Sequence, residues 1–260
     1  MPETTVRAPG TFCWVEVGTT NREGAKSFYR TLFGWKADDS PAGDGSFYTM
    51  LRQGDNEIGG LYELSPEMRS HGVPPHWMSY VLVTSADETA AKVKSLGGNV
   101  AAEPFDVMDI GRMAVFGDPT GATFAVWQPK KHSGSTAMGG HGTPCWYELC
   151  TRDTAKAGAF YHGLFGWNLV PREMGEMTYT MLMLGDASVG GMMEMTPEFG
   201  DAPPHWMVYF EVKNIDESVA TAQKAGATVV VPKMPVVGVG ELSLITDPQG
   251  AHLSIIELKA

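Results

Sequence analysis

An α+β fold built as two tandem copies of one domain is predicted for this 260-residue chain by three observations: an internal repeat, capped helices, and short strands between glycine-bearing turns. The repeat comes first, because a missed repeat misassigns the whole fold. Gly10-Thr-Phe-Cys-Trp-Val-Glu16 returns as Gly142-Thr-Pro-Cys-Trp-Tyr-Glu148, and over positions 10–35 against 142–167, 13 of 26 residues are identical. Leu32-Phe-Gly-Trp35 returns as Leu164-Phe-Gly-Trp167, Pro74-Pro-His-Trp-Met78 as Pro203-Pro-His-Trp-Met207, and Asp118-Pro-Thr-Gly121 as Asp247-Pro-Gln-Gly250. The offset drifts from 132 to 129, which is domain-sized and too long for a solenoid unit. Two domains are therefore expected over 1–132 and 142–260, with the Gly/Ser-rich segment 133–141 as linker.

Within the first copy a strand is expected over 12–18. Asn21 then caps a helix whose apolar face is Ala25, Phe28, Tyr29, Leu32 and Phe33, closed by Gly34. Strands near 46–52 and 57–63 follow. The second half opens with a strand over 77–83, and Ser85-x-x-Glu88 forms a capping box for a helix over 86–96, stopped by Gly97-Gly98. Strands near 99–102, 112–117 and 123–128 complete it, the last two joined by the Asp118-Pro-Thr-Gly121 turn, where proline presets φ. Strand, helix, three strands is thus performed twice per copy. The second copy repeats the order from Asp153, with Asn214-x-x-Glu217 as its capping box and Gly226 ending that helix.

Composition narrows the function classes. A formal net charge of -11 repels phosphate backbones, so nucleic acid is not an expected partner. No run of about 18 apolar residues suggests a membrane span, and Met1 to Pro9 lack an apolar leader core, so a cytoplasmic location is expected. Cys13, Cys145 and Cys150 form no zinc spacing, and their odd number argues against a disulfide framework. Nucleophile-elbow, zincin, Walker and dinucleotide fingerprints are absent from the sequence.

Trp-x-Glu in the first strand, the Phe-Tyr…Leu-Phe-Gly-Trp helix ending and the Asp-Pro-x-Gly hairpin together resemble the vicinal-oxygen-chelate superfamily of glyoxalases, extradiol dioxygenases and bleomycin-resistance proteins, in particular its tandem two-domain bacterial members. The resemblance runs from about residue 10 to 258. It implies paired βαβββ units forming a curved mixed sheet around a cavity in each domain, and a divalent metal held by His, Gln or Glu from the strands. It also implies that 1–132 folds alone, each copy closing its own cavity. Carried over one position at a time, the ligand places fall on Trp14 and Trp146, Met78 and Met207, and Ala125 and Ser254. Ile58-Gly-Gly-Leu61 and Val189-Gly-Gly-Met192 stand at the fourth place. Indole and methyl groups do not ligate, and thioether is too soft for Mg²⁺, Mn²⁺ or Zn²⁺. No metal or other cofactor is expected, a divalent metal being the alternative.

Strand alternation puts Glu16 beside Trp14 and Glu148 beside Trp146 on the cavity face, with Cys13, Val15 and Val17 behind. The same period adds Tyr80 and Trp127 in the first copy, and Tyr209, His252, Ser254 and Ile256 in the second. The expected ligand is a small aromatic or cationic organic molecule. Glu16 and Glu148 are the candidate catalytic groups, since an inward carboxylate needs a donor ligand, a base role or a hydrogen-bond partner. Two rival readings stand beside this one. The first is a metal-dependent glyoxalase-like lyase, isomerase, dioxygenase or hydroxylase using His76, His205, Glu16 or Glu148. The second is a non-catalytic scaffold. Monomer and homodimer are both compatible with the sequence.

Overall fold

The computed structural model describes residues 7–42, 45–175 and 177–259. The segment Met1 to Pro9, on which the leader reading rests, lies partly outside them. In the first copy, β1 (Phe12–Thr19), α1 (Arg22–Phe33), β2 (Lys36–Pro41), β3 (Phe47–Gln53) and β4 (Asn56–Glu63) form one βαβββ unit. A short α2 (Pro66–Ser70) leads to the next: β5 (His76–Leu82), α3 (Ala86–Ser95), β6 (Asn99–Val107), β7 (Gly111–Gly117) and β8 (Thr123–Pro129). The second copy runs β9 (Pro144–Thr151), α4 (Thr154–Phe165), β10 (Asn168–Met174), β11 (Met177–Leu184), β12 (Ala187–Glu194), β13 (His205–Glu211), α5 (Ile215–Lys224), β14 (Thr228–Val236), β15 (Gly240–Thr246) and β16 (His252–Leu258). Each copy builds one eight-stranded mixed sheet, in the orders β2-β3-β4-β1-β5-β8-β7-β6 and β10-β11-β12-β9-β13-β16-β15-β14. Parallel pairs β1/β4 and β5/β8 recur as β9/β12 and β13/β16. Among the described residues no helix is long and apolar enough to cross a membrane.

Local chemistry sets the element ends. Asn21 accepts from the Gly24 amide and Ser85 from the Glu88 amide, and Gly34 closes α1 at φ 76°. Asn214 and Asp153 cap their helices in the same way. Two strands differ from the sequence reading. β2 escapes it because Lys36–Pro41 is a polar, largely exposed edge strand with no apolar alternation to detect. β6 runs past the expected end at 102 because Pro104 is tolerated on an edge strand, where the register shifts between Ala102 and Phe105.

By contrast with the sheets, the two compact units each draw on both copies: one comprises Trp14–Met78, Ser135–Cys145 and Val208–Ala260, the other the remaining segments. In the first of these, Tyr29, Phe33, Trp35 and Trp77 pack around Phe210, with Trp77 and Phe210 ring centroids 4.9 Å apart. The knot is anchored by polar groups. Tyr29 donates to Asp247 Oδ2 at 2.8 Å, Trp77 Nε1 donates to the Tyr29 hydroxyl at 3.0 Å, and Trp35 Nε1 to the Gly142 carbonyl at 2.7 Å. Asp247 spends its other oxygen on the amides of Gln249, Gly250 and Ala251. The other unit repeats the arrangement: Tyr161 donates to Asp118 Oδ2, Trp206 to Tyr161, and Trp167 to the Gly10 carbonyl. Phe12 stacks on Tyr147 there at 3.9 Å. These aromatic residues are all buried. Both compact units take buried aromatic core from residues beyond 132, which sets the expectation that 1–132 folds alone against this packing, and expression of that segment decides between them.

Candidate functional site

The face of β1 that carries Trp14 and Glu16 is the starting point. Glu16 pairs with Gly60 and Gly18 with Tyr62 in the parallel β1/β4 ladder, while Tyr48 of β3 pairs with Tyr62. Paired residues share a face, so Trp14, Glu16, Tyr48 and Tyr62 lie together. Trp14 Nε1 donates to the Tyr48 hydroxyl at 3.2 Å, and Tyr48 in turn bonds the Glu16 carboxylate. Burial first, and the Glu16 charge second, push the Tyr48 phenol far above its ordinary range, so it stays a neutral donor. Tyr62 is raised by the same two causes.

Gly60 explains why this array can form. A Cβ at that position would stand 1.9 Å from the Tyr48 hydroxyl, so glycine makes the room the tyrosine occupies. The room is filled by a phenol from the neighbouring strand. The second copy repeats the device: Trp146 Nε1 donates to Tyr179 at 2.8 Å, Tyr179 bonds Glu148, and a Cβ at Gly191 would meet the Tyr179 hydroxyl at 2.0 Å. Glu148 is only 7% exposed, and Cys150 Sγ lies 3.8 Å from its Oε1. Burial and that carboxylate raise the Cys150 thiol, which is held protonated. Cys13 and Cys145 are pushed up to about 12, chiefly by burial.

His76 opens β5. Its Nδ1 lies 2.8 Å from the Pro74 carbonyl, which can only accept, and its Nε2 lies 3.3 Å from the Tyr62 hydroxyl. Burial holds its pKa below the ordinary value. Neutral His76 therefore donates from Nδ1 and accepts the Tyr62 proton at Nε2. A pH consequence follows. With the folded value depressed, the unfolded chain binds the extra proton first, so stability falls as pH drops below the ordinary histidine value of ~6.5. NMR titration should give His76 a midpoint below 6.5, and His76→Gln should flatten the stability profile between pH 5 and 7.

The remaining predicted residues fall on the strands as follows. Met78, Tyr80 and Trp127 are buried on β5 and β8, with Tyr80 opposite Ala125. Trp127 Nε1 donates to the His132 carbonyl at 2.8 Å, and Tyr80 lies 4.0 Å from Met113 sulfur. Met207, Tyr209 and Ser254 are buried in the second sheet, Tyr209 opposite Ser254. His252 is exposed at the start of β16, its Nδ1 2.8 Å from Thr246 Oγ1. His205 Nδ1 contacts the Pro203 carbonyl, the counterpart of His76. A groove of about 510 Å³ on α1 and α5, lined by Ser27, Thr31, Lys224 and Gln249 among others, includes none of the predicted residues. Sequence reasoning missed Tyr48 and Tyr179, although both head a repeated Tyr-Thr-Met-Leu run that marks them.

The side chains at the places the resemblance assigns to metal ligands do not suit a divalent metal. At the places the resemblance assigns, Trp14 spends its N–H on Tyr48, Ala125 carries no donor and Met78 is a soft thioether. Among the described residues no three His, Cys, Asp or Glu side chains are placed to hold one metal ion.

Comparison with known proteins agrees with this architecture. A sequence model of the Glyoxalase/Bleomycin resistance protein/Dioxygenase superfamily matches residues 12–126 and again 144–255. The chain belongs to that superfamily. It is 37% identical over 259 residues to "Putative glyoxylase CFP32" of Mycobacterium tuberculosis, covering 99% of this chain and 98% of the relative. It is 34% identical to the anthracycline biosynthesis protein DauV of Streptomyces sp. strain C5, covering 97% and 94%. Among solved structures, the Mn(II)-bound glyoxalase of Novosphingobium aromaticivorans superimposes with a TM-score of 0.65 at 15% identity, over 96% of this chain and 83% of that one. The 2,3-dioxygenase LapB of Pseudomonas sp. KL28 gives 0.67 at 13% identity, over 98% and 94%. At such identities the likeness concerns the fold.

Proposed function

We propose that this protein binds a small planar, aromatic or cationic organic molecule over its Trp-Tyr-Glu arrays, without a metal. The observation that carries the reading is the Trp14→Tyr48→Glu16 chain of hydrogen bonds, repeated as Trp146→Tyr179→Glu148. Each array fixes a carboxylate beside an indole. The indole attracts a flat ring or a cation by roughly 0.5–2 kcal/mol, and the carboxylate favours a positive or donor-bearing group and opposes an anion. Met78 extends the first binding face and Met207 the second in this reading, with 1–132 and 142–260 as the two family domains joined by 133–141. The relatives named for anthracycline biosynthesis support the aromatic part, since that product class is planar and polycyclic.

Elemental analysis of the purified protein tests the metal-free part. The expected result is less than a tenth of an equivalent of Mn, Fe, Ni or Zn per chain after dialysis. About one metal per domain, lost on mutating His76 or His205, would restore the metal-dependent lyase or dioxygenase reading. A screen in which no aromatic or cationic compound raises the melting temperature would favour the scaffold.

A further inference from the structure

One difference between the two arrays is a coupled exchange of two facing residues. In the first copy the β1/β4 ladder sets Gly18 against Tyr62; in the second the equivalent β9/β12 ladder sets Cys150 against Met193. The exchange is steric. A Cβ on Gly18 would lie 2.8 Å from the Tyr62 hydroxyl, so glycine is needed where tyrosine stands opposite, whereas the slimmer methionine admits a cysteine. Its chemical effect is larger than its volume. The first array gains a phenol held by His76, and the second gains a thioether and a thiol. His205 keeps the Pro203 bond of its counterpart, but the ladder position that would face it with a hydroxyl holds Met193.

The direction of the Tyr62 hydrogen bond decides what that phenol can do. His76 Nδ1 is committed to the Pro74 carbonyl, so Nε2 is an acceptor and takes the Tyr62 proton. The phenol oxygen then offers lone pairs, beside the Glu16 carboxylate, on a half-buried side chain. A ligand group that donates can satisfy it, and one that only accepts meets lone pair against lone pair. We propose that the two sites are not equivalent: the first selects an aromatic or cationic ligand bearing a hydroxyl or amine donor that bonds the Tyr62 oxygen, and the second takes the same kind of ligand without that group. The inference rests on the aromatic-cation reading above and adds to it the identity of a second recognised group.

The test is isothermal titration of the full chain with two probes of equal charge, 6-(hydroxymethyl)-1-methylquinolinium and its methyl ether, which lacks the donor. The hydroxymethyl probe should bind about tenfold tighter than the ether at the site weakened by Glu16→Gln, with no preference at the site weakened by Glu148→Gln. Tyr62→Phe should abolish the preference, bringing the two probes to within about twofold of each other at that site. The pair Cys150→Gly with Met193→Tyr should install the preference in the second site. If both probes bind with equal affinity at both sites, or if the preference survives Tyr62→Phe in a variant with an unchanged melting curve, this inference is overturned and the aromatic-cation reading stands. If neither probe binds, both fall.

Discussion

Asp247→Ala should lower the stability of the protein by about 3–5 kcal/mol, because it strips the acceptor from a buried phenol and from buried and half-buried backbone amides. The carboxylate is 3% exposed and accepts three backbone amides on one oxygen and the Tyr29 hydroxyl on the other. Removing it takes the carboxylate acceptor from the Gln249 and Ala251 amides and the Tyr29 hydroxyl, while the Gly250 amide keeps only the Asp247 carbonyl. At the entropy of a chain of this size the expected fall in Tm is on the order of 10 °C, and Asp118→Ala should behave alike through Thr120, Gly121, Ala122 and Tyr161. Asp247→Asn, which keeps an acceptor for the amides, should lose less than half as much. Differential scanning calorimetry reads both, and an alanine variant melting within 2 °C of the parent would show the carboxylate to be dispensable.

Residues 1–132 produced alone should be insoluble or self-associated, and should become soluble on co-expression with 133–260. The separated half keeps its sheet sequence but loses Phe210, Asp247 and the Gly142 carbonyl from around Tyr29, Trp35 and Trp77. It also loses Tyr147, Trp206 and Tyr161 from around Phe12 and Phe124. Burying an aromatic side chain of this size is worth several kcal/mol, so leaving two such clusters open exceeds the ~5–15 kcal/mol of net stability typical of a whole domain. Light scattering and near-ultraviolet circular dichroism distinguish the outcomes. A monomeric 1–132 with a cooperative melt would contradict the shared-core description.

What the sequence could reveal divides along the range of the interaction. Asn21, Ser85 and Asn214 act on amides three residues away, and the Asp118 turn closes over four residues, so each was legible as a motif. The repeat exposed the two sheets. β2 was hidden because nothing buries it, and the extent of β6 because its proline sits at a bulge. The Tyr29–Asp247 bond spans 218 residues, and no local pattern encodes such a partner. At the site, alternation placed Trp14 beside Glu16, but the phenol between them comes from β3, two strands away in the sheet order. Register, which one sequence does not display, was needed to find Tyr48, Tyr62 and the glycine beneath them.

Recognition of charge is the core of the functional reading, and matched probes of one shape isolate it. Titration of the chelator-treated protein with 1-methylquinolinium, quinoline at pH 8 and 2-naphthoate compares a cation, a neutral ring and an anion on nearly the same frame. The expected order is cation, then neutral, then anion, with the cation at least tenfold ahead of the anion. Glu16→Gln and Glu148→Gln should together collapse that gap while leaving quinoline affinity within about twofold, and Trp14→Ala with Trp146→Ala should weaken all three. Naphthoate binding best, or an unchanged order in the double glutamine variant, would contradict the account.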